Sequence, residues 1–237
     1  MSNISELSSI SFVDLFGFSG AVETATLQNN QTRIDSLLRL IKNATDPNNE
    51  VTVANYGQTH RYKRTAFSDC IVMSNSKEQA ERTIVQSYIL ASMLAKFGFM
   101  CRGGITIGNL THDADIVFGV GLIRAHHLES KVAKKPIIIL DNEIFTRDLC
   151  DSYGPQLRSI LKYDESISSY YINQFIGSPT KIFIGIELDE TPYWQGLKKG
   201  IETLKQIDIE NKHAVCNKWL SCEFNLHKPQ NIQGIST

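Results

Sequence analysis

The order of apolar patterns along the chain predicts an α+β fold of the ferredoxin-like βαββαβ type, extended by further α/β pairs. Short apolar stretches with strand character alternate with longer stretches in which apolar residues recur every three or four positions. Single strands and pairs of strands are separated by these helical stretches, which favours one sheet with helices on one of its faces.

The first half of the pattern begins with a strand over residues 10–16 and a helix over residues 19–43. Ser19 is a suitable N-cap for this helix. Its buried stripe is predicted from the spacing of Ile34, Leu37, Leu38 and Ile41. After a turn at residues 46–49, strands are predicted near 51–56, 60–67 and 69–74.

The second half continues with a helix over 77–96, a strand over 100–108, a helix over 119–133 and a strand over 137–140. Beyond residue 150 the elements become shorter, and a helical stretch rich in Lys and Glu covers residues 193–217. We therefore interpret residues 1–150 as the domain that carries the functional site. Residues 151–237 are interpreted as an α/β extension packed on that domain.

Composition narrows the functional classes. The formal net charge of the 237 residues is -1, so no basic surface favours nucleic acid as a partner. No apolar run approaches the ~20 residues that span a membrane. The five cysteines form no C-x-x-C pair, which suits reduced thiols. The first residues lack the segments of a signal peptide, and we expect a cytoplasmic protein.

Two acidic residues lie in apolar strand surroundings. Asp14 ends the first strand, and Asp69 lies in the β-rich stretch 65–74. Alternate side chains share a face of a strand, so both acids meet on one surface if the first strand lies beside the 60–74 hairpin. Converging carboxylates need a counter-charge, and oxygen ligands suit two hard divalent ions, Mn²⁺ or Mg²⁺.

A glycine-containing turn follows Asp14 directly. Residues 17–19, Gly-Phe-Ser, lead into a helix whose first N–H groups and dipole favour phosphate. Each aspartate alone is more typical of a turn or a cap. Because the acids and the turn occur together on suitable elements, they favour a site for a nucleoside triphosphate and its metal ions.

These segments resemble the class III nucleotide cyclase domain. FVDLFGFS over residues 12–19 is similar to that family's F-x-D-I-x-G-F-[ST], and FSDC over 67–70 to its G-D hairpin. RGGITIG over 102–108 resembles its R-I-G-I-x-x-G strand, and residues 118–130 resemble its helix ending in R-[LM]-[DE]-S. The resemblance covers residues 10–141 in the family's order and spacing.

The resemblance implies a mechanism and an assembly. Asp14 and Asp69 would hold both metal ions, and the Leu15 carbonyl would add a ligand. Backbone groups of Gly17, Phe18 and Ser19 would contact the triphosphate. The ribose 3′-hydroxyl would attack the α-phosphate to give a 3′,5′-cyclic nucleotide and pyrophosphate, in a homodimer whose active sites lie between two protomers.

Several positions depart from the family pattern. Purine cyclases carry Lys or Glu four residues before the second metal aspartate, where this chain has Thr65. Ile123 and His127 stand at the positions of the transition-state Asn and Arg, and Arg124 is the neighbouring arginine that could replace them. Arg102 could contact phosphate or base, or form a surface ion pair.

These departures resemble the pyrimidine cyclases of bacterial Pycsar antiphage systems. In that subset a residue like Phe12 lines the nucleotide site, and a tyrosine, here Tyr56, narrows the base pocket. The resemblance therefore implies a cyclase for UTP or CTP, with UTP favoured, that makes a second messenger for antiviral defence. A purine cyclase and a catalytically inactive module for nucleotide binding or dimerisation remain alternatives.

Overall fold

The structure is a computed structural model that describes residues 6–45, 63–113, 116–185, 189–207 and 214–229. Its strands are β1 Glu6–Phe16, β2 Lys63–Phe67, β3 Cys70–Ser76, β4 Met100–Asp113, β5 Ile116–Phe118, β6 Ile138–Leu140, β7 Leu161–Asp164 and β8 Ser169–Ile172. Its helices are α1 Phe18–Leu27, α2 Gln31–Thr45, α3 Ala80–Lys96, α4 Val120–His127, α5 Arg147–Ser152, α6 Pro155–Ser159, α7 Pro179–Ile184, α8 Thr191–Ile207 and α9 Ala214–His227. A 3₁₀ turn, Lys77–Gln79, precedes α3, and a π-helical turn, Leu128–Val132, follows α4.

The strands form one mixed sheet in the order β2-β3-β1-β4-β6-β8-β7, with β5 paired to β4. Strand β1 lies between β3 and β4 and is antiparallel to both, whereas β6 is parallel to β4. A single mixed sheet with interspersed helices agrees with the predicted α+β class. The ferredoxin-like description of its first strands stays a prediction.

Both faces of β1 are covered because both carry apolar side chains. Val13 and Leu15 lie in the main core with residues of α3, such as Ile84. Ile10 faces the other way and packs with Ala125 of α4. Helices therefore lie on both faces of the sheet, rather than on one face as the sequence pattern suggested.

The predicted helix over 19–43 is two helices. Asn29, with a φ of 49°, lies in the break between α1 and α2. Asparagine tolerates this left-handed conformation better than most residues. The buried side of α2 is formed by Leu37, Leu40 and Ala44, whereas Leu38 is 55% exposed, so the predicted stripe is wrong at Leu38.

Other predicted elements shift at their ends. Strand β4 continues to Asp113, five residues past its predicted end at 108, because it pairs with β1 and then with β5. The strand predicted at 51–56, the first residues of the 60–67 strand and the turn at 46–49 lie outside the described residues.

The chain beyond residue 150 adds to the same sheet. Strand β8 pairs with β6, and β7 pairs with β8. A second core forms where Tyr193, Trp194 and Leu197 of α8 pack near Ala95 and Met100. The division into residues 1–150 and 151–237 stays a prediction.

No helix in the described ranges is both long and apolar enough to cross a membrane.

Helix α8 packs against α3, and at Gly196 the two backbones lie in close contact. A Cβ at this position would collide with the carbonyl oxygen of Ala95, whereas a Cβ at Gly154 would meet nothing within 4 Å. We expect Gly196→Ala to lower the free energy of unfolding by about 1–3 kcal/mol, because neither helix backbone can yield easily. Gly154→Ala is the matched control, with an expected change within about 0.5 kcal/mol. Urea unfolding of both variants checks this, and equal effects would contradict it.

Candidate active site

The structure places Asp14 and Asp69 side by side at one end of the sheet. Strand pairing sets Asp14 opposite Cys70, the residue that follows Asp69. One carboxylate oxygen of each acid and the Cys70 sulfur all lie within 4.8 Å of one another. The two acids therefore form one cluster, although 55 positions separate them in the sequence.

The hairpin between β2 and β3 holds Asp69 in place. Asp69 lies in the two-residue turn of this hairpin rather than within a strand. Ser68, the first turn residue, has a φ of 55°, which is a conformation that glycine adopts more easily. The Leu15 N–H donates to the Asp69 carbonyl over 2.9 Å, which ties the turn to the end of β1.

The turn after β1 brings the start of α1 to the same cluster. Gly17, with a φ of 83°, is the N-cap of α1, so the predicted N-cap at Ser19 is wrong. The helix begins at Phe18 because glycine allows the sharp turn there. Ser19 instead donates its hydroxyl proton to Asp69 Oδ2 over 2.5 Å. Phe18 is buried and packs on Phe99, with ring centroids 5.6 Å apart. Only its backbone is therefore suited to the predicted contact with a triphosphate.

Negative charge accumulates around Asp14. Burial raises the pKa of Asp14 to about 6, and Arg102 opposes this shift, whereas Glu129 and Asp69 add to it. Burial and the neighbouring acids Asp14, Asp69 and Glu129 also raise the pKa of the Cys70 thiol to about 12. The negative charge near Asp14 therefore exceeds the positive charge that Arg102 supplies, and the Cys70 thiol is neutral near pH 7.

This donor set fits a hard divalent cation. Two carboxylates supply charged oxygen ligands, and a neutral thiol is a poor ligand for Mg²⁺ or Mn²⁺. The pKa of Asp14 is raised mainly by burial and further by Glu129 and Asp69, so an added cation would stabilise the ionised carboxylate. Leu15 has its side chain in the core, so only its backbone carbonyl is suited to the predicted ligand role.

Phe12 and Thr65 lie on the face of the sheet that carries Asp14. Both are register partners of Val72, and Phe12 is two residues before Asp14 in β1. The Phe12 ring contacts His126 edge to face, with centroids 5.2 Å apart. The aromatic side chain therefore sits between the acid cluster and helix α4.

His112 also lies on this face, although the strand predicted over 100–108 ends before it. Its Nε2 is 2.9 Å from Thr65 Oγ1, and its Nδ1 is 2.7 Å from Ser74 Oγ. Burial, helped by Lys63, lowers the pKa of His112 to about 4, so the imidazole is neutral. A usable signal was the alternation at the end of β4, where Leu110 and His112 are buried and Asp113 is exposed.

The two candidate arginines have different surroundings. Arg102 pairs in register with Asp14, and its guanidinium is 3.5 Å from Asp14 and 2.5 Å from Glu129. Arg124 is held instead by Asp141, over 2.7 and 2.8 Å, and by Glu143.

Arg124 thus has acidic partners of its own near the end of β6. Burial alone would raise the pKa of Asp141, but hydrogen bonds from Arg124 and Thr106 lower it overall. Within the described ranges, the structure gives Arg124 no contact with Asp14 or Asp69. Tyr56 lies outside those ranges.

Comparison with family models and with curated proteins gives no match. Solved structures do match, and one is described as the structure of a bacterial light-regulated adenylyl cyclase. It is 14% identical, with a TM-score of 0.44, and the match covers 75% of this chain and 56% of that chain. The chain therefore spans little more than half the length of this distant neighbour. A likeness at this TM-score does not indicate a function, which therefore has to follow from the residues of the site.

Asp14 should make stability depend on pH. Its pKa is raised from 3.8 to about 6, so the folded protein binds this proton more tightly than the unfolded chain does. The free energy of unfolding therefore falls as the pH rises through about 4 to 6. We expect Asp14→Asn to exceed the wild type in free energy of unfolding by up to about 3 kcal/mol at pH 8. The difference should shrink towards about 1 kcal/mol at pH 4.5. Urea unfolding with a chelator present checks this, and a pH-independent difference would contradict it.

Proposed function

We propose that this chain is a nucleotide cyclase of the class III type, with a ferredoxin-like core, that converts UTP, or less readily CTP, to the 3′,5′-cyclic nucleotide and pyrophosphate. One observation carries the proposal. Asp14 and Asp69 converge beside the N-terminal turn of α1, so a pair of metal-ligating acids and a phosphate-binding helix end share one site.

The chain's own residues have separate tasks in this reaction. Asp14, Asp69 and the Leu15 carbonyl would hold two divalent ions, which would supply Lewis-acid activation of the ribose 3′-hydroxyl and charge neutralisation of the phosphates. Backbone N–H groups at Gly17, Phe18 and Ser19 bind the triphosphate. Arg102, next to Asp14, adds positive charge for the phosphates. The 3′-oxygen then attacks the α-phosphorus, and pyrophosphate leaves.

The proposed preference for a pyrimidine rests on the face around Phe12. Thr65 is held by a neutral His112 and offers no charge to the edge of a purine. Phe12 lies on the same face and supplies an aromatic surface for a base. Three further parts of the proposal rest on the sequence resemblance. They are Tyr56 as the residue that narrows the pocket, the choice of UTP over CTP, and the role in antiviral defence.

Homodimerisation is part of the proposal, and an exposed apolar surface supports it. Ile116 and Phe118 of β5 are 58% and 54% exposed, and Val120 and Ile123 of α4 are 64% and 69% exposed. These four residues, the β5–α4 patch, lie close together in the chain. Clustered exposed apolar side chains are typical of protein–protein contacts.

An inactive nucleotide-binding module is the second candidate function. Ile123 and His127 stand where the resembled family has its transition-state pair, and Arg124 is bound by Asp141 and Glu143. Metal-dependent stabilisation by a nucleoside triphosphate without turnover would support this candidate.

Each of the four nucleoside triphosphates, incubated with the protein and Mn²⁺, tests the activity. We expect a cyclic product and pyrophosphate, with UTP the best substrate. Asp14→Ala and Asp69→Ala should each lower the rate at least about 100-fold, because the loss of a metal ligand removes several kcal/mol of transition-state stabilisation.

Asp35→Ala is the matched control, since Asp35 is exposed on α2 and its carboxylate accepts a hydrogen bond from Gln31 within the same helix. Its rate should equal that of the wild type. Absence of a cyclic product from all four substrates, or full activity of Asp14→Ala, would contradict the proposed function.

The β5–α4 patch should support self-association. We expect Ile123→Asp to shift the protein from dimer to monomer and to lower cyclase activity in parallel, because a buried charge at the interface is costly. Leu226→Asp is the control, since Leu226 is 71% exposed on α9. Sedimentation velocity measures the oligomeric state. A monomeric wild type, or a dimer that survives Ile123→Asp unchanged, would contradict this part of the proposal.

A further inference from the structure

Glu129 is a buried acid next to the candidate metal site. Its side chain is only 5% exposed, and its Oε1 lies 2.5 Å from Arg102 NH2. A carboxylate at this depth is costly unless a positive charge accompanies it. Arg102 supplies that charge to Glu129.

The same guanidinium also faces Asp14. Asp14 and Arg102 are register partners on neighbouring strands, and Arg102 Nη2 donates a long hydrogen bond, 3.5 Å, to Asp14 Oδ2. A well-formed pair between a guanidinium and a carboxylate is about 2.7–2.9 Å long. Arg102 is therefore shared unequally, with a short contact to Glu129 and a long contact to Asp14.

The backbone that carries Glu129 is fixed in position. Glu129 belongs to the π-helical turn after α4, which packs directly on β4. A Cβ at Gly104 would lie 2.5 Å from both the Ala125 carbonyl oxygen and Leu128 Cβ, so no space separates the turn from the strand. Close packing of the turn on β4 therefore fixes the backbone position of Glu129.

The Arg102 guanidinium is less firmly held. Its contact with Glu129 is a close ion pair without the direction of a hydrogen bond, and its Nε is buried with no hydrogen-bond partner among the described residues. The guanidinium also lies over the Phe16 ring, 5.1 Å from its centroid. A long side chain with unused donors can turn towards whichever carboxylate attracts it more strongly.

We propose that Glu129 is a positioning residue that draws Arg102 away from Asp14 and thereby sets the affinity of the Asp14–Asp69 pair for a divalent cation. The inference rests on the metal site of the proposed function. Without Glu129, Arg102 would pair closely with Asp14. It would then neutralise the Asp14 carboxylate and occupy the oxygen lone pairs that the cation needs. Glu129 acts through Arg102 and does not itself bind the ion.

Binding of Mn²⁺ alone, measured on metal-free protein by electron paramagnetic resonance, tests this without nucleotide or turnover. We expect Glu129→Gln to raise the Kd for Mn²⁺ about tenfold. Arg102→Gln should lower that Kd. In the Arg102→Gln background, Glu129→Gln should raise the Kd by clearly less than about tenfold, because only the direct attraction between the Glu129 charge and the cation is then lost.

Glu129→Asp separates contact from charge, since it keeps the carboxylate but shortens its reach by one methylene. We expect its Kd to rise as in Glu129→Gln, and melting curves of all variants check that they fold. Equal effects of Glu129→Gln with and without Arg102, or wild-type affinity in Glu129→Asp, would overturn the inference.

The outcomes also separate this inference from the proposed function. A wild-type protein that binds Mn²⁺ with an affinity unaffected by Glu129→Gln overturns the inference alone, and the test with the four nucleoside triphosphates still decides the activity. A wild-type protein that does not bind Mn²⁺ overturns the inference together with the proposed metal site.

Discussion

The pairing of β1 with β3 on one side and β4 on the other is the constraint on which the candidate site depends. It sets Asp14 between Cys70 and Arg102. A shift of one residue would exchange the two faces of the strand and carry Asp14 into the core. The burial of Val13 and Leu15, both at most 1% exposed, opposes that shift. The apolar core thus keeps the acid at the site.

The stability of the site is in tension with its proposed chemistry. Three acids, Asp14, Asp69 and Glu129, are gathered around Arg102. Burial raises the pKa of Asp14, and Glu129 and Asp69 add to that rise. An unbalanced cluster of this kind destabilises the metal-free fold, yet it attracts a cation. Such local conflicts between stability and electrostatics are expected at functional sites.

Local patterns in the sequence predicted the parts of the site that neighbours in the chain determine. Alternation in β1 placed Phe12 and Asp14 on one face, and Gly17 marked the turn into α1. The break at Asn29 was not predicted, although residues 28–33, QNNQTR, contain no apolar residue that would continue the helical stripe across it. Glu129 and His112 were missed as parts of the site because their contacts join distant segments. Alternation along β4 was a signal for the face on which His112 lies, but not for its contact with Thr65.

Cys70 has a chemical consequence of its own. The thiolate is the form of cysteine that reacts with oxidants and alkylating agents. Burial and three nearby carboxylates keep the Cys70 thiol protonated, with a pKa of about 12. Cys222, in contrast, is exposed on α9. The chain therefore carries a thiol 3.8 Å from each of its two key acids in the protonated, unreactive form, while surface labelling is directed to Cys222.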